Sequence, residues 1–303
     1  MPLQFVGTIE SLGSEVAGLS IGDRVMSPFT ASCGACFYCS KGLTCRCSHP
    51  EAQLFGWIQE PAPGEPGSSR PRGLHGGQAQ YVRVPLASST LVKVPDDVSD
   101  EEALLLGDIL STAFFCAERG GVAEGDTVAV VGLGPVGLLA VLAARHLGAA
   151  RVFAVDGVPG RRAQAAKFGA EPLAPEDAAA AAAAATGGRG ADVVLEAVGA
   201  GGALALAFDL VRPAGVVSSV GVHTAAGWPF TPVDAYNKNA TLRFGRCPAR
   251  AYMERVLPIV QSKKWPFADI ITHRMSLREG VRAYDMFERR KEGVIKVVLD
   301  PWR

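Results

Sequence analysis

Neither sign of charge predominates: 30 Lys and Arg balance 30 Asp and Glu over 303 residues, a formal net charge of zero. Nucleic acid and anionic membranes need a basic surplus or stripe, and this balance recruits neither. No apolar run approaches the ~18 residues that a membrane helix requires. The opening residues, MPLQFVGTIE, lack the cationic head and apolar block of a secretory leader, and also the Arg-rich amphipathic character of a transit peptide. The expected compartment is therefore the cytoplasm, where disulfides are rare. Self-similarity at a solenoid period is missing too, which excludes a repeat architecture.

What is present is an ordinary globular composition, 48% hydrophobic and 20% charged, on a chain long enough for two domains. Five of the seven cysteines fall within CGACFYCSKGLTCRC, residues 33–47. Cys33, Cys36, Cys39 and Cys47 follow C-x2-C-x2-C-x7-C, a spacing at which four thiolates on a turn-rich loop close a tetrahedral shell around Zn²⁺. Such a shell has no open position, so it holds a loop together and does no chemistry. Cys45 competes with Cys47 as fourth ligand, and an iron–sulfur cluster is the chemical alternative. Cys116 and Cys247 stand apart among apolar or loop residues and read as packing residues.

Texture changes along the chain. The first ~95 residues carry short β-type runs, FVGTIESLG, DRVMSPF and AQYVRVP, among Gly and Pro. PAPGEPGSSRPRG (61–73) reads as a breaker-dense surface loop. From Ser99 the pattern DEEALLLGDILSTAFFCAERG is helical, opened by a capping box of Ser99 and Glu102. Buried strands then alternate with helices: DTVAVVG, PVGLLAVLAARHLGA, RVFAVD, GRRAQAAKFGA, DVVLEAVG, ALALAFDLVRPAG, VVSSVGV. That alternation predicts a doubly wound parallel sheet. The alanine tract near 177–188 predicts a surface helix. YMERVLPIVQSKK and LREGVRAYDMFERRK are amphipathic, and VIKVVLD is a closing strand.

Between the first strand and helix of that sheet lies Gly132-x-Gly134-x-x-Gly137, with Pro135 and Val136 inside it. Gly132 permits the tight turn, Gly134 lets the backbone approach a pyrophosphate, and Gly137 allows close helix–sheet packing. The helix N-terminus offers free N–H groups to phosphate. The next strand ends in Asp156, placed to accept hydrogen bonds from ribose hydroxyls and to repel a 2′-phosphate, which favours NAD. Arg161 and Arg162 follow closely and keep NADP open.

A C-x2-C-x2-C-x7-C lobe followed by such a dinucleotide unit resembles the zinc-dependent medium-chain alcohol dehydrogenases over nearly the whole chain. LLLGDILSTAFF, GADVVLEAVG, YNKNATLRFGR and IITHRMSL are similar to the branch related to glutathione-dependent formaldehyde dehydrogenase. The resemblance implies a GroES-like β domain (1–107 and 246–303) with an NAD-binding Rossmann domain (108–245) inserted, acting on a small-molecule alcohol or aldehyde as a homodimer or homotetramer through the sheet edge near VVSSVGV. It implies a catalytic Zn²⁺ whose ligands come from an early Cys, a Gly-His-Glu motif, and a Cys or Asp before the Rossmann domain. Asp108 matches the third. Leu3 and Gln4 stand where the motif has His and Glu, and the family has several dozen residues before the point matching Met1. The chain is thus expected to be N-terminally truncated, with an unpaired edge and exposed core in its β domain. Its structural zinc and NAD sites are expected intact, and its catalytic zinc site incomplete. A non-catalytic NAD-binding homologue and a zinc-independent NAD(P)H carbonyl reductase are the alternatives. The resemblance further implies Lys296 at the pyrophosphate, Ala197, Val198, Gly221 and Val222 facing the nicotinamide, Arg246 near the domain junction, and His273 as structural. His49 and His75 are the candidates for substitute ligands.

Overall fold

The structure, a computed structural model, describes residues 4–59 and 72–303. Its contacts divide the chain into two units, Met1–Ser111 with Pro248–Arg303, and Thr112–Cys247.

The first unit opens with β1 (Phe5–Thr8), β2 (Arg24–Ser27), α1 (Phe37–Ser40), β3 (Trp57–Gln59), β4 (Arg72–Leu74), α2 (Ala87–Thr90), β5 (Val92–Lys93) and α3 (Asp100–Leu106). α4 (Ile109–Gly120) then leads into the second unit. There the order is β6 (Thr127–Val131), α5 (Pro135–His146), β7 (Arg151–Val155), α6 (Pro159–Lys167), β8 (Glu171–Leu173), α7 (Pro175–Ala185), β9 (Ala191–Glu196), α8 (Gly201–Leu210), β10 (Val211–Ser219), α9 (Pro232–Lys238) and β11 (Thr241–Phe244). α10 (Ala249–Gln261), β12 (Ile271–Ser276), α11 (Gly280–Glu288) and β13 (Lys296–Asp300) return to the first unit.

The second unit is a parallel sheet in the order β11-β10-β9-β6-β7-β8. The chain winds outward one way from β6 and the other way from β9, so its topological switch point lies between those two strands. Val131, Val155, Val194 and Val217 fill the interior, covered by Leu204 and Ala207 of α8. The alanine tract contributes Ala178 and Ala182, an i, i+4 pair that turns one edge of α7 onto the same core.

The first unit holds a small antiparallel sheet, β1-β2-β5, and the parallel pair β12-β13. Among the described residues β1 pairs only with β2, and β13 only with β12. A groove of about 1340 Å³ runs along both strands and along residues 77–84. An unpaired edge and an open apolar wall are thus present in this unit, with Tyr81 and Trp302 exposed beside it in edge-to-face contact at 5.7 Å.

Several elements differ from the sequence expectation. The helical run from Asp100 is two helices, broken at Gly107, where a Cβ would lie 2.3 Å from the carbonyl oxygen of Ser27. Val211–Gly215 belong to strand β10, not to the preceding helix, because Val211 already pairs with Ala191 of β9. AQYVRVP forms no strand: Val82 and Val84 pack inward on Phe55 and Leu74, but no neighbour among the described residues supplies a ladder. VVSSVGV is not the sheet edge, since β11 pairs outside β10. Of the expected 61–73 loop, residues 61–71 lie outside the described residues, and Arg72 and Gly73 open β4.

Candidate metal centre and cofactor site

The cysteine lobe closes on itself through short local elements. Cys36 caps α1, Cys39 sits within it, and Cys47 ends the 3-10 turn Thr44–Arg46. The ligand atoms of Cys33, Cys36, Cys39 and Cys47 all lie within 4.8 Å of one another. Sγ of Cys36 is 3.8 Å from Sγ of Cys47, nearly twice a disulfide bond, and all seven cysteines are free thiols. Backbone N–H groups of Cys36 and Cys33 donate to Sγ of Cys33 and Cys47, each at 3.3 Å. Hydrogen bonds from the Ser48 and Cys39 backbone hold the Cys36 thiol down to about 5, while burial pushes Cys39 up to about 12. Zn²⁺ binds the thiolate form, so a cation among these sulfurs would favour loss of all four protons. Four sulfurs as the whole donor set of the cluster suit a structural Zn²⁺. Cys47, and not Cys45, joins the other three in this cluster.

Asp108 presents a different picture. It occupies the break between α3 and α4, with Gln4 and Lys296 beside it. With its amide turned so that both neighbours are satisfied, Gln4 donates to Asp108 Oδ2 at 3.1 Å and accepts from Lys296 Nζ at 3.0 Å. Burial pushes the Lys296 ammonium pKa down, and the Asp108 charge opposes that. An amide and an ammonium stand where a metal would need imidazole or thiolate. Among the described residues only the four-cysteine cluster gathers three or more His, Cys, Asp or Glu donors, so His49 and His75 do not complete a shell with Asp108. The residues present do not fit a catalytic zinc. Leu3 lies outside the described residues.

In the second unit the glycine turn follows β6 at the switch point. Gly132 has φ +89°, and a Cβ on Gly137 would lie 1.7 Å from the Gly132 carbonyl oxygen, so only glycine lets α5 seat this close to the strand. A Cβ on Gly134, the N-cap of α5, would meet nothing within 4 Å, leaving its face open to a ligand; Pro135 follows at N1 and Val136 after it. Asp156 is tucked under this turn. Its Oδ2 accepts from Leu133 N at 2.7 Å, and its Oδ1 from Val158 N at 2.7 Å. Arg161 Nη1 lies 3.7 Å from that carboxylate, and Arg162 donates to the Asp156 carbonyl at 2.7 Å. Both arginines are therefore engaged beside Asp156.

Ala197 and Val198 follow β9, and Gly221 and Val222 follow β10, on the carboxyl side of the sheet. Sequence reading missed what holds them. Glu196, fully buried at the end of β9, binds both loops, and its partner His223 was missed as well. The sequence offers only an acidic residue closing an apolar strand, DVVLE, which does not by itself point to two loops. Arg246 lies in the second unit; His273 is on β12 with Nδ1 2.9 Å from Thr272 Oγ1. Cys116 and Cys247 are buried, and burial pushes the Cys116 thiol up to about 12.

Comparison with known proteins decides what this arrangement belongs to. Residues 1–96 match the profile of the alcohol dehydrogenase GroES-like domain, and residues 135–262 that of the zinc-binding dehydrogenases. An alcohol dehydrogenase of Cupriavidus necator is 32% identical over 98% of this chain and 82% of its own length. The chain belongs to the zinc-type alcohol dehydrogenase family. It is an oxidoreductase by that membership, built from a GroES-like and a Rossmann-type fold. Zinc-type alcohol dehydrogenase B of Aspergillus flavus is 36% identical over 98% of this chain, which spans 67% of the fungal protein. Among solved structures, alcohol dehydrogenase TADH from Thermus sp. ATN1 matches with a TM-score of 0.87 and 36% identity, over 98% of this chain and 82% of the Thermus chain. Family membership implies zinc and a nicotinamide cofactor. No helix among the described residues is long and apolar enough to cross a membrane.

Proposed function

We propose that this alcohol dehydrogenase family member binds NAD on its second unit and one structural Zn²⁺ in its cysteine lobe, and that residues 1–303 do not hold the catalytic metal. The observation that carries the last point is the placement of the Gln4 amide and the Lys296 ammonium beside Asp108, with no set of three His, Cys, Asp or Glu donors gathered there among the described residues. NAD is preferred because the Asp156 carboxylate at the end of β7 would repel a 2′-phosphate, and Arg161 and Arg162 both lie against Asp156. When bound, the cofactor accepts or returns a hydride. The protein's part is to seat the pyrophosphate at Gly134 and the start of α5, with Asp156 beneath. A small-molecule alcohol or aldehyde as substrate, placement near the glutathione-dependent formaldehyde dehydrogenase branch, a cytoplasmic dimer or tetramer, and domains of 1–107 with 246–303 and 108–245 belong to the same reading.

Metal counting on the purified full chain, combined with NADH binding and an alcohol and aldehyde series, tests it. One zinc per chain with NADH bound and no alcohol oxidation is the expected result. Two zinc ions with alcohol oxidation abolished in Asp108→Asn would overturn it. A second reading, a metal-independent carbonyl reductase, is favoured by Lys296 itself, an ammonium lining the groove of the first unit. It requires NAD(P)H-dependent carbonyl reduction at one zinc per chain, lost in Lys296→Met.

A further inference from the structure

The sheet order sets three places along the carboxyl edge of the second unit. Asp156 closes β7 on one side of the β6 glycine turn, and β9 and β10 lie on the other side. A dinucleotide with its ribose at Asp156 and its pyrophosphate at Gly134 therefore carries its nicotinamide over the loops after β9 and β10.

One carboxylate holds both loops. Glu196 ends β9 with 0% exposure. Its Oε1 accepts from Val198 N at 2.8 Å and Gly199 N at 2.7 Å. Its Oε2 accepts from Ser219 Oγ at 2.5 Å and lies 3.3 Å from His223 Nε2, which is itself 2.8 Å from Ser219 Oγ. The loops then touch backbone to backbone: a Cβ on Gly199 would lie 2.5 Å from Val222 N, and one on Gly221 would lie 2.1 Å from Gly199 N. Val198 in turn closes on the glycine turn, since a Cβ on Gly132 would lie 2.2 Å from its Cγ2. A buried charge is costly, and the sheet ladder already joins β9 to β10 without it. What the carboxylate adds lies beyond the ladder, where its two oxygens fix loops that strand pairing does not reach.

We propose that Glu196 is the positioning residue for the nicotinamide end of the cofactor, acting through Val198–Gly199 on one side and Ser219–His223 on the other. This rests on the NAD reading above. It assigns Glu196 no contact with the reacting atoms.

ADP-ribose, which lacks the nicotinamide, separates this proposal from the reading beneath it. Both ADP-ribose and NADH are titrated against the full-length wild type and three variants, with melting temperature recorded. In Glu196→Ala the loss of charge-assisted hydrogen bonds is expected to weaken NADH about tenfold or more, leaving ADP-ribose within about threefold of wild type. Glu196→Gln keeps an acceptor for Val198 and Gly199 and should bind NADH within about threefold of wild type. Ser219→Ala, a near-isosteric change that serves even if Glu196→Ala does not fold, should weaken NADH about threefold to tenfold and spare ADP-ribose. Equal loss of both ligands, unchanged NADH binding in Ser219→Ala, or Glu196→Gln as weak as Glu196→Ala would overturn the positioning role. Failure of the wild type to bind ADP-ribose would instead overturn the NAD reading, and this role with it.

Discussion

At the scale of single residues, this chain separates two uses of the same elements. Four sulfurs gathered within 4.8 Å form a complete donor set, whereas Asp108 is met by groups that satisfy a carboxylate without a metal. Removing one sulfur should empty the lobe: Cys39→Ser is expected to drop zinc from about one per chain to near zero after chelator washing, as read by atomic emission, because three thiolates hold Zn²⁺ less tightly than a closed four. A chain that keeps its zinc after this change would show that Cys39 is not a ligand. Asp156 makes the second residue-scale prediction. In Asp156→Ala the ribose loses its acceptor and the turn loses the anchor of Leu133 N–H. NADH affinity should fall about 10- to 100-fold, as for a lost hydrogen bond to a charged group, while NADPH falls less because repulsion is relieved and Arg161 is released. Equal losses for the two cofactors would show that Asp156 supports the turn and does not select the cofactor.

At the scale of elements, the starts of the strands are tied as firmly as their ends. Asp192, near the start of β9, accepts from Thr127 N on β6 at 2.8 Å and from Arg212 Nε on β10 at 2.7 Å. Burial raises the Asp192 pKa, but the Arg212 hydrogen bond and the Thr127 N–H outweigh it, and the carboxyl titrates below its usual value. A depressed carboxylate stabilises the fold above its unfolded pKa of about 3.9 and loses that contribution as pH falls through the folded value. Asp192→Asn should therefore cost about 1–2 kcal/mol at pH 7, discounted for partial exposure, and in urea melts the gap to wild type should close as pH falls through the depressed folded value. A pH-independent difference would assign the effect to shape alone. The strand–helix alternation was legible because period and punctuation are local, and so was the glycine turn. The close fit at Gly107 was not, because the group that forbids a Cβ there is the Ser27 carbonyl, far away in sequence. Nor was Glu196 legible: its importance lies in loops brought together by folding, and a lone acid at the end of an apolar strand says nothing of them.

At the scale of the whole molecule, the unit that holds the zinc lobe has also left strand edges open. AQYVRVP has the alternation of a strand, buries Val82 and Val84, and forms no ladder. The sequence expectation of a strand there failed because a strand is completed by its neighbour and not by its own residues. β1 and β13 line the same groove, each paired on one side among the described residues, with Trp302 65% and Tyr81 67% exposed at its wall. Free N–H and C=O groups beside apolar surface are a template for pairing with another chain, and proteins blunt such edges with charge, lysine above all. Thr8 lies at the exposed end of β1 and presents none. Thr8→Lys should slow aggregation of the full chain on gentle heating, as followed by light scattering, with the melting temperature and zinc content close to wild type, because the change touches the edge and not the core. A control carrying the same added charge on an exposed helix face, Ala166→Lys on α6, should have no such benefit, since a helix offers no open ladder. If both variants protect equally, added charge alone is responsible; if neither does, association proceeds through a surface other than the β1 edge.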